Sequence, residues 1–210
     1  MCCRYYIEPS DEFAEIIDEA SESVLNTIMS EGLGHSLVMC GEVRPNNIAP
    51  VVAPNRNGTR AAFPMVWGFV LPSLKSPLFN ARVETAASKP TFRDSWMRRR
   101  CAIPASHYFE WEHHLDPTSG RTRTGDRYAI HPSGSRSTWL AGLYRFENRN
   151  GITMPVFTIL TREPAEGIRF IHNRMPVILS PDDVEEWVTP ARNPLPIVSR
   201  ALTHMEYTRG

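Results

Sequence analysis

Cys2 is where chemistry could begin. Its small side chain permits removal of Met1, which would leave a free amino-terminal cysteine, a 1,2-aminothiol. Such a group attacks an aldehyde through nitrogen to form an imine, and its own sulfur then closes a five-membered thiazolidine. An α-amino group has a pKa of about 7.7–8.0, so roughly one amine in ten is free base at pH 7, a few-hundred-fold more than for lysine. Three further segments carry suitable groups. Phe79–Thr85 places Asn80, Arg82 and Glu84 at alternate positions, which predicts one shared face of an extended segment. Ser106–Glu112 sets Tyr108, Glu110 and Glu112 on one face and His107, Phe109 and Trp111 on the other. A carboxylate among aromatics loses solvation, its pKa rises, and it becomes fit for acid–base work. His172, in Ile171-His172-Asn173-Arg174-Met175-Pro176, is expected to titrate near neutrality and to shuttle protons. Together these supply a nucleophile, an amide, a carboxylate and an imidazole, a set suited to carbonyl chemistry.

The elements that must position them read as follows. Phe13, Ile16, Ile17, Ala20, Val24, Leu25 and Ile28 recur at helical spacing and predict a helix over residues 10–29, with Ser10 as N-cap. Short strand-like runs follow at 36–40, 63–70, 100–104, 108–112, 128–131, 138–146, 156–161 and 177–179, separated by Pro and Gly. A second helix is expected at 181–187 behind Ser180, and residues 118–126 read as an exposed hairpin loop. With no βαβ alternation, repeat or linker, the pattern predicts an α+β fold: a single domain over 1–210 with a central, mainly antiparallel, barrel-like sheet flanked by helices.

Composition narrows the function classes. The 210 residues are 41% hydrophobic, and 23 Lys+Arg balance 23 Asp+Glu, so no global positive charge marks a nucleic-acid binder. Charge is nevertheless uneven: residues 8–22 carry seven acids and no base, whereas Arg82, Lys89, Arg93, Arg98, Arg99 and Arg100 form a basic stretch that could hold an anion. No apolar run is long enough to span a bilayer, and the amino terminus lacks a secretory pattern. A cytoplasmic protein with reduced thiols, no membrane association and a monomeric state is expected. Four cysteines without a C-x-x-C pair predict neither metal nor disulfides, and no cofactor is called for.

The sequence resembles the SOS response-associated peptidase (SRAP) domain proteins. The likeness spans nearly the whole chain as ordered blocks: Met1-Cys2-x-Arg4, Asn47-Ile48-Ala49-Pro50, Trp67-Gly68, Asn80-Ala81-Arg82-Val83-Glu84-Thr85, Arg99-Arg100-Cys101, Tyr108-Phe109-Glu110-Trp111, Ala141-Gly142-Leu143, Thr158-Ile159-Leu160-Thr161, Ile171-His172-x-Arg174-Met175-Pro176 and Val198-Ser199-Arg200. It implies recognition of abasic sites in single-stranded DNA and a stable covalent protein–DNA link after loss of Met1, by self-processing or otherwise, with a slow lyase reaction open to the same imine. Carried over by motif, Cys2 is the nucleophile, Asn80 holds it and the opened sugar, Glu110 is the acid–base residue, and His172 assists ring opening. Arg4 and Arg82 would bind phosphates, with Trp67 and Leu74 at the DNA face. Three positions depart from the family pattern: Cys3 stands where glycine is common, residues 71–77 lack a pair of bulky aromatics, and Pro45-Asn46-Asn47 replaces an aromatic-bearing block. Two other readings remain: a thiol peptidase or amidohydrolase using Cys2 and His172, and a non-covalent binder using the Arg82–Arg100 surface.

Overall fold

Five strands closed into a barrel form the centre of the protein. The computed structural model describes residues 2–8, 10–115, 120–135, 137–190 and 192–210. In chain order these form β1 (Arg4–Ile7), α1 (Asp11–Glu22), α2 (Val24–Leu33), β2 (Gly41–Val43), β3 (Ile48–Pro54), β4 (Arg60–Trp67), β5 (Asn80–Arg82), α3 (Val83–Ala86), α4 (Pro90–Arg98), β6 (Arg100–Ala105), β7 (His107–Leu115), β8 (Thr122–Pro132), β9 (Thr138–Arg149), β10 (Ile152–Arg162), β11 (Met175–Pro176), β12 (Ile178–Leu179), α5 (Val184–Val188), α6 (Pro194–Ser199) and β13 (Met205–Arg209). Around the barrel, β10 pairs parallel with β4; the β4–β3, β3–β6, β6–β9 and β9–β10 pairs are antiparallel and close the ring. A second, antiparallel sheet runs in the order β13-β8-β7-β1-β2. The α+β fold with a mainly antiparallel barrel is therefore present.

Strands β3 and β10 are buried over almost their whole length. One face fills the barrel and the other is covered, so β3 is continuously apolar and β10 buries Thr158 and Thr161 among apolar residues, without the alternation of a one-sided strand. α1 lies across β3 and β4 and buries Phe13, Ile16, Ile17 and Ala20, the stripe its periodicity predicts.

Several local expectations need correction. The helix expected over 10–29 breaks at Ser23, which is extended and whose side chain accepts from the Leu25 N–H, starting α2 in a new direction. Val24 and Ile28 are consequently exposed, and the Ser10 side chain caps nothing. Of residues 36–40 only Leu37 makes a bridge, to Ile48; the ladder forms at Gly41–Val43. The segment at 181–187 begins as a 3-10 turn over Pro181–Asp183 before α5, with no side-chain cap from Ser180. Of the expected hairpin loop, residues 118 and 119 lie outside the described residues, and from Thr122 the chain is already strand β8. Arg100 does not belong to a basic surface: it is 1% exposed, and its guanidinium donates to the carbonyls of Trp187 (2.7 Å), Trp96 (2.9 Å), Thr189 (2.6 Å) and Arg192 (3.0 Å). Among the described residues, no helix is long and apolar enough to cross a membrane.

Candidate active site

The site forms where the two sheets meet. β1 lies antiparallel beside β7, with Arg4 opposite Phe109 and Tyr5 opposite Tyr108. Continuing that register toward the amino terminus brings the residues before Arg4 alongside Glu110. From the barrel sheet, β5 runs parallel to β10 with Asn80 opposite Ile159, and the Asn80 Nδ2–H donates to the Cys2 carbonyl at 2.8 Å. Residues distant in sequence thus converge on one buried point.

Burial sets the electrostatics there. Cys2 is 1% exposed; desolvation pushes its thiol well above the usual value, and the Glu110 carboxylate pushes it further. The thiol donates weakly to the Arg4 carbonyl at 3.7 Å. Glu110 is 3% exposed, and burial raises its carboxyl to about 7. It is therefore about half protonated at neutrality, the condition under which one group serves as both acid and base. Beneath Cys2 lie Tyr5 and Tyr108, fully buried, with phenols raised by burial. Their hydroxyls and the Asn80 Oδ1 have no hydrogen-bond partner among the described residues.

His172 lies against β7. Its Nδ1 accepts the Arg174 backbone N–H at 2.9 Å, which leaves the proton on Nε2 in the neutral ring. Burial, as the main cause, lowers its pKa to about 4. The expectation of titration near neutrality is corrected: His172 is a neutral imidazole across the physiological range. The His113 ring packs edge-on against it, with centroids 5.0 Å apart. The β7–β8 register shifts between Trp111 and His113. Tyr128 stands opposite Glu110 across the ladder, and Glu112 accepts from the Tyr128 hydroxyl and contacts His114 Nε2, each at 2.7 Å.

The Asn80 and His172 segments are locked together by Arg174. Its two terminal nitrogens donate to the Glu84 carboxylate at 2.9 and 2.8 Å, and Nη2 also donates to the Thr161 carbonyl at 2.6 Å. Burial works to raise the Glu84 carboxyl, but this bidentate fork outweighs it and holds the group below its ordinary value. Glu84 is not on a strand face with Asn80 and Arg82 as alternation predicts, because the chain turns into α3 immediately after Arg82.

The four side chains expected at the DNA face are placed differently from one another. Arg82 is exposed, and Leu74 is 46% exposed in the segment between β4 and β5. Arg4 is partly engaged, its Nη1 on Glu42 Oε1 at 2.8 Å and its guanidinium 5.3 Å from the Trp111 ring centre. Trp67 is fully buried and stacked on Phe157, so its ring supports the site from within. Its indole N–H donates to the Phe79 carbonyl at 2.9 Å and pins the backbone just before Asn80. Gly68 follows with φ +122°, and a Cβ there would lie 2.9 Å from the Pro77 Cβ, so the turn out of β4 requires glycine. Among the described residues, no group of three or more His, Cys, Asp or Glu is arranged to hold a metal ion.

Sequence comparison matches residues 1–208 to the family described as SOS response associated peptidase (SRAP). The chain belongs to that family. It is 32% identical over 197 residues to the abasic site processing protein YoqW of Bacillus subtilis, covering 90% of this chain and 81% of that protein. It is 35% identical over 161 residues to YoaM of the same organism, covering 71% and 68%, and 31% identical over 130 residues to YedK of Escherichia coli, covering 60% and 54%. The last two are also named abasic site processing proteins. The SRAP fold is shared with a crystal structure of a protein from Bacteroides thetaiotaomicron at a TM-score of 0.73 and 21% identity, covering 99% of this chain and 91% of that one.

In this SRAP chain, then, Cys2, Asn80 and Glu110 are brought together, and His172 packs against His113 of β7. Sequence reading missed His113, the paired phenols of Tyr5 and Tyr108, and the Arg174–Glu84 fork. The phenols had a signal in the alternation Tyr108-x-Glu110; His113 had none, because the ring it meets, His172, is distant in sequence.

Proposed function

We propose that this protein captures abasic sites in single-stranded DNA through a thiazolidine formed by Cys2 after Met1 is removed, with the whole of 1–210 acting as one monomeric unit. The observation that carries the reading is the burial of Cys2 between the Asn80 amide and the Glu110 carboxyl. The names of the relatives supply the substrate class.

An abasic deoxyribose is partly an open-chain aldehyde. The Cys2 amine adds to its carbon, the carbinolamine loses water to give an imine, and the thiol adds across C=N while its proton passes to nitrogen. One water is released overall. Glu110, half protonated, gives a proton to the departing hydroxyl and can take the thiol proton on closure. Asn80 holds the Cys2 carbonyl and so orients both nucleophilic atoms. His172, neutral at pH 7, assists opening of the sugar ring, and the fork at Arg174 keeps it in position. Arg82 and Arg4 contact flanking phosphates, the latter after release from the partly exposed Glu42 pair, and Leu74 touches a base. Removal of Met1 by the protein itself, and slow strand cleavage from the imine, are open to the same groups.

A thiol peptidase needs a depressed thiol pKa, whereas burial and Glu110 raise that of Cys2. A passive binder on the Arg82–Arg100 surface loses Arg100 to the interior.

The test is the pH dependence of adduct formation. Reaction requires the free amine, with pKa about 7.7–8.0, and a protonated Glu110, with pKa about 7. The rate should rise with pH as the amine deprotonates and fall as Glu110 ionises, giving a maximum between the two values. Glu110→Gln should slow the reaction about 10²-fold or more and abolish the falling limb. A mutant whose rate and profile match wild type would overturn the role of Glu110.

A further inference from the structure

Next to the site lies a cavity of about 450 Å³ whose wall includes His172, His113, Arg169 and Phe170. Phe170 continues this wall outward into a cluster of three rings. Tyr128 and Phe170 have centroids 5.8 Å apart, Tyr128 and Tyr207 5.6 Å, and Phe170 and Tyr207 5.4 Å, all at steep angles. Tyr128 is the buried anchor, at 8% exposure, with its hydroxyl on Glu112. Phe170 and Tyr207 remain 51% and 44% exposed. Aromatic surface of this kind is scarce elsewhere around the pocket: residues 71–77 contain no aromatic, and Trp67 is buried.

Arginines flank the rings in sequence and along the cavity wall. Arg121 and Arg123 at the start of β8 are exposed. Arg169 has a 61% exposed side chain that meets Glu166 at 3.3 Å, and Arg209 pairs with Asp126. Exposed pairs of this type contribute little, so a phosphate can replace their carboxylates. Half-open rings set among arginines, continuous with a cavity that reaches His172, match the two parts of a nucleotide: a base to stack and a phosphate to neutralise.

We propose that Phe170 and Tyr207, carried on Tyr128, form a stacking platform for a base of the single strand flanking the captured site. The proposal rests on the reading that single-stranded DNA is the partner, and it supplies the aromatic stacking that residues 71–77 cannot. Neither a lone phosphate site nor an apolar protein surface accounts for rings and arginines side by side.

The test uses Cys2→Ala protein, which cannot form the adduct, and a short undamaged single strand carrying 2-aminopurine, whose emission falls when it stacks. The parent should bind and quench the probe. In that background, replacing both Phe170 and Tyr207 by leucine keeps apolar packing but removes the rings. It should weaken binding about tenfold or more and eliminate the quenching. Phe170→Trp, with Tyr207 intact, should retain both signals. Equal affinity within about twofold for the double leucine variant, absence of quenching in the parent, or loss of binding in Phe170→Trp would each overturn the platform. Failure of wild-type protein to crosslink abasic DNA would instead overturn the covalent reading, and the two failures are read in separate experiments.

Discussion

Replacing Cys2 by alanine should abolish the denaturant-resistant adduct with abasic single-stranded DNA, not merely slow it. Closure of the ring is what removes the imine from hydrolysis, and alanine retains the amine but has no second nucleophile. Borohydride should therefore still trap an imine on Cys2→Ala, whereas the wild-type link should survive denaturation without reduction. Cys2→Ser should fall between them, since a hydroxyl is a far weaker nucleophile than a thiol. A peptide tag before Cys2 should have the effect of the alanine variant or a stronger one, because it blocks the amine itself. Binding to undamaged single strands should persist in Cys2→Ala, since contacts to phosphates and bases do not use the thiol. Crosslinking of Cys2→Ala equal to wild type would remove Cys2 from the mechanism.

The largest expected effect on stability is at Arg100. Its guanidinium satisfies carbonyls of Trp96, Trp187, Thr189 and Arg192, which gathers the end of α4, the end of α5 and the segment before α6 around one side chain. Arg100→Met keeps the volume but leaves those buried acceptors without their donor, and each orphaned group costs about 1–3 kcal/mol before relaxation. A net loss of about 3–5 kcal/mol is expected, read as a fall in Tm of roughly 10 °C for a chain of this size. Arg100→Lys should recover only part of it, because one ammonium cannot span the acceptors that a planar fork reaches. A melting temperature unchanged within about 2 °C for Arg100→Met would show that the carbonyls find other donors.

Arg100 also shows how far sequence reading reaches. As one of six bases in a short stretch it looks like surface, and nothing local reveals that α5 will present carbonyls to it. The amphipathic stripe of α1 was legible because one face of a helix decides its burial. The break at Ser23 was not, since the apolar spacing runs on through it while the cap geometry favours a fresh start. β3 escaped notice because Pro50 and Pro54 read as strand breakers, yet pairing on both sides leaves room for them in a short ladder. In the site, Cys2, Asn80, Glu110 and His172 carried recognisable chemistry individually. Their electrostatics did not follow from type: the same burial that lifts Glu110 to about 7 drives His172 down to about 4, so the two groups exchange the roles their unperturbed values would give them. Trp67 is the converse case. Its place in a conspicuous Trp-Gly block pointed to the DNA face, whereas the structure uses the ring to hold the strand that carries Asn80.

The central claim is that the amine and thiol of one terminal cysteine both end up bonded to one sugar carbon. Intact mass spectrometry of Met1-free protein, before and after exposure to a short single strand with one abasic site, reads this most directly. The account predicts a single new species equal to protein plus DNA minus one water, with the Cys2 thiol no longer available to an alkylating reagent and Cys3 still reactive. A species of that mass in which Cys2 is still alkylated, or one formed equally by protein that keeps Met1, would contradict it.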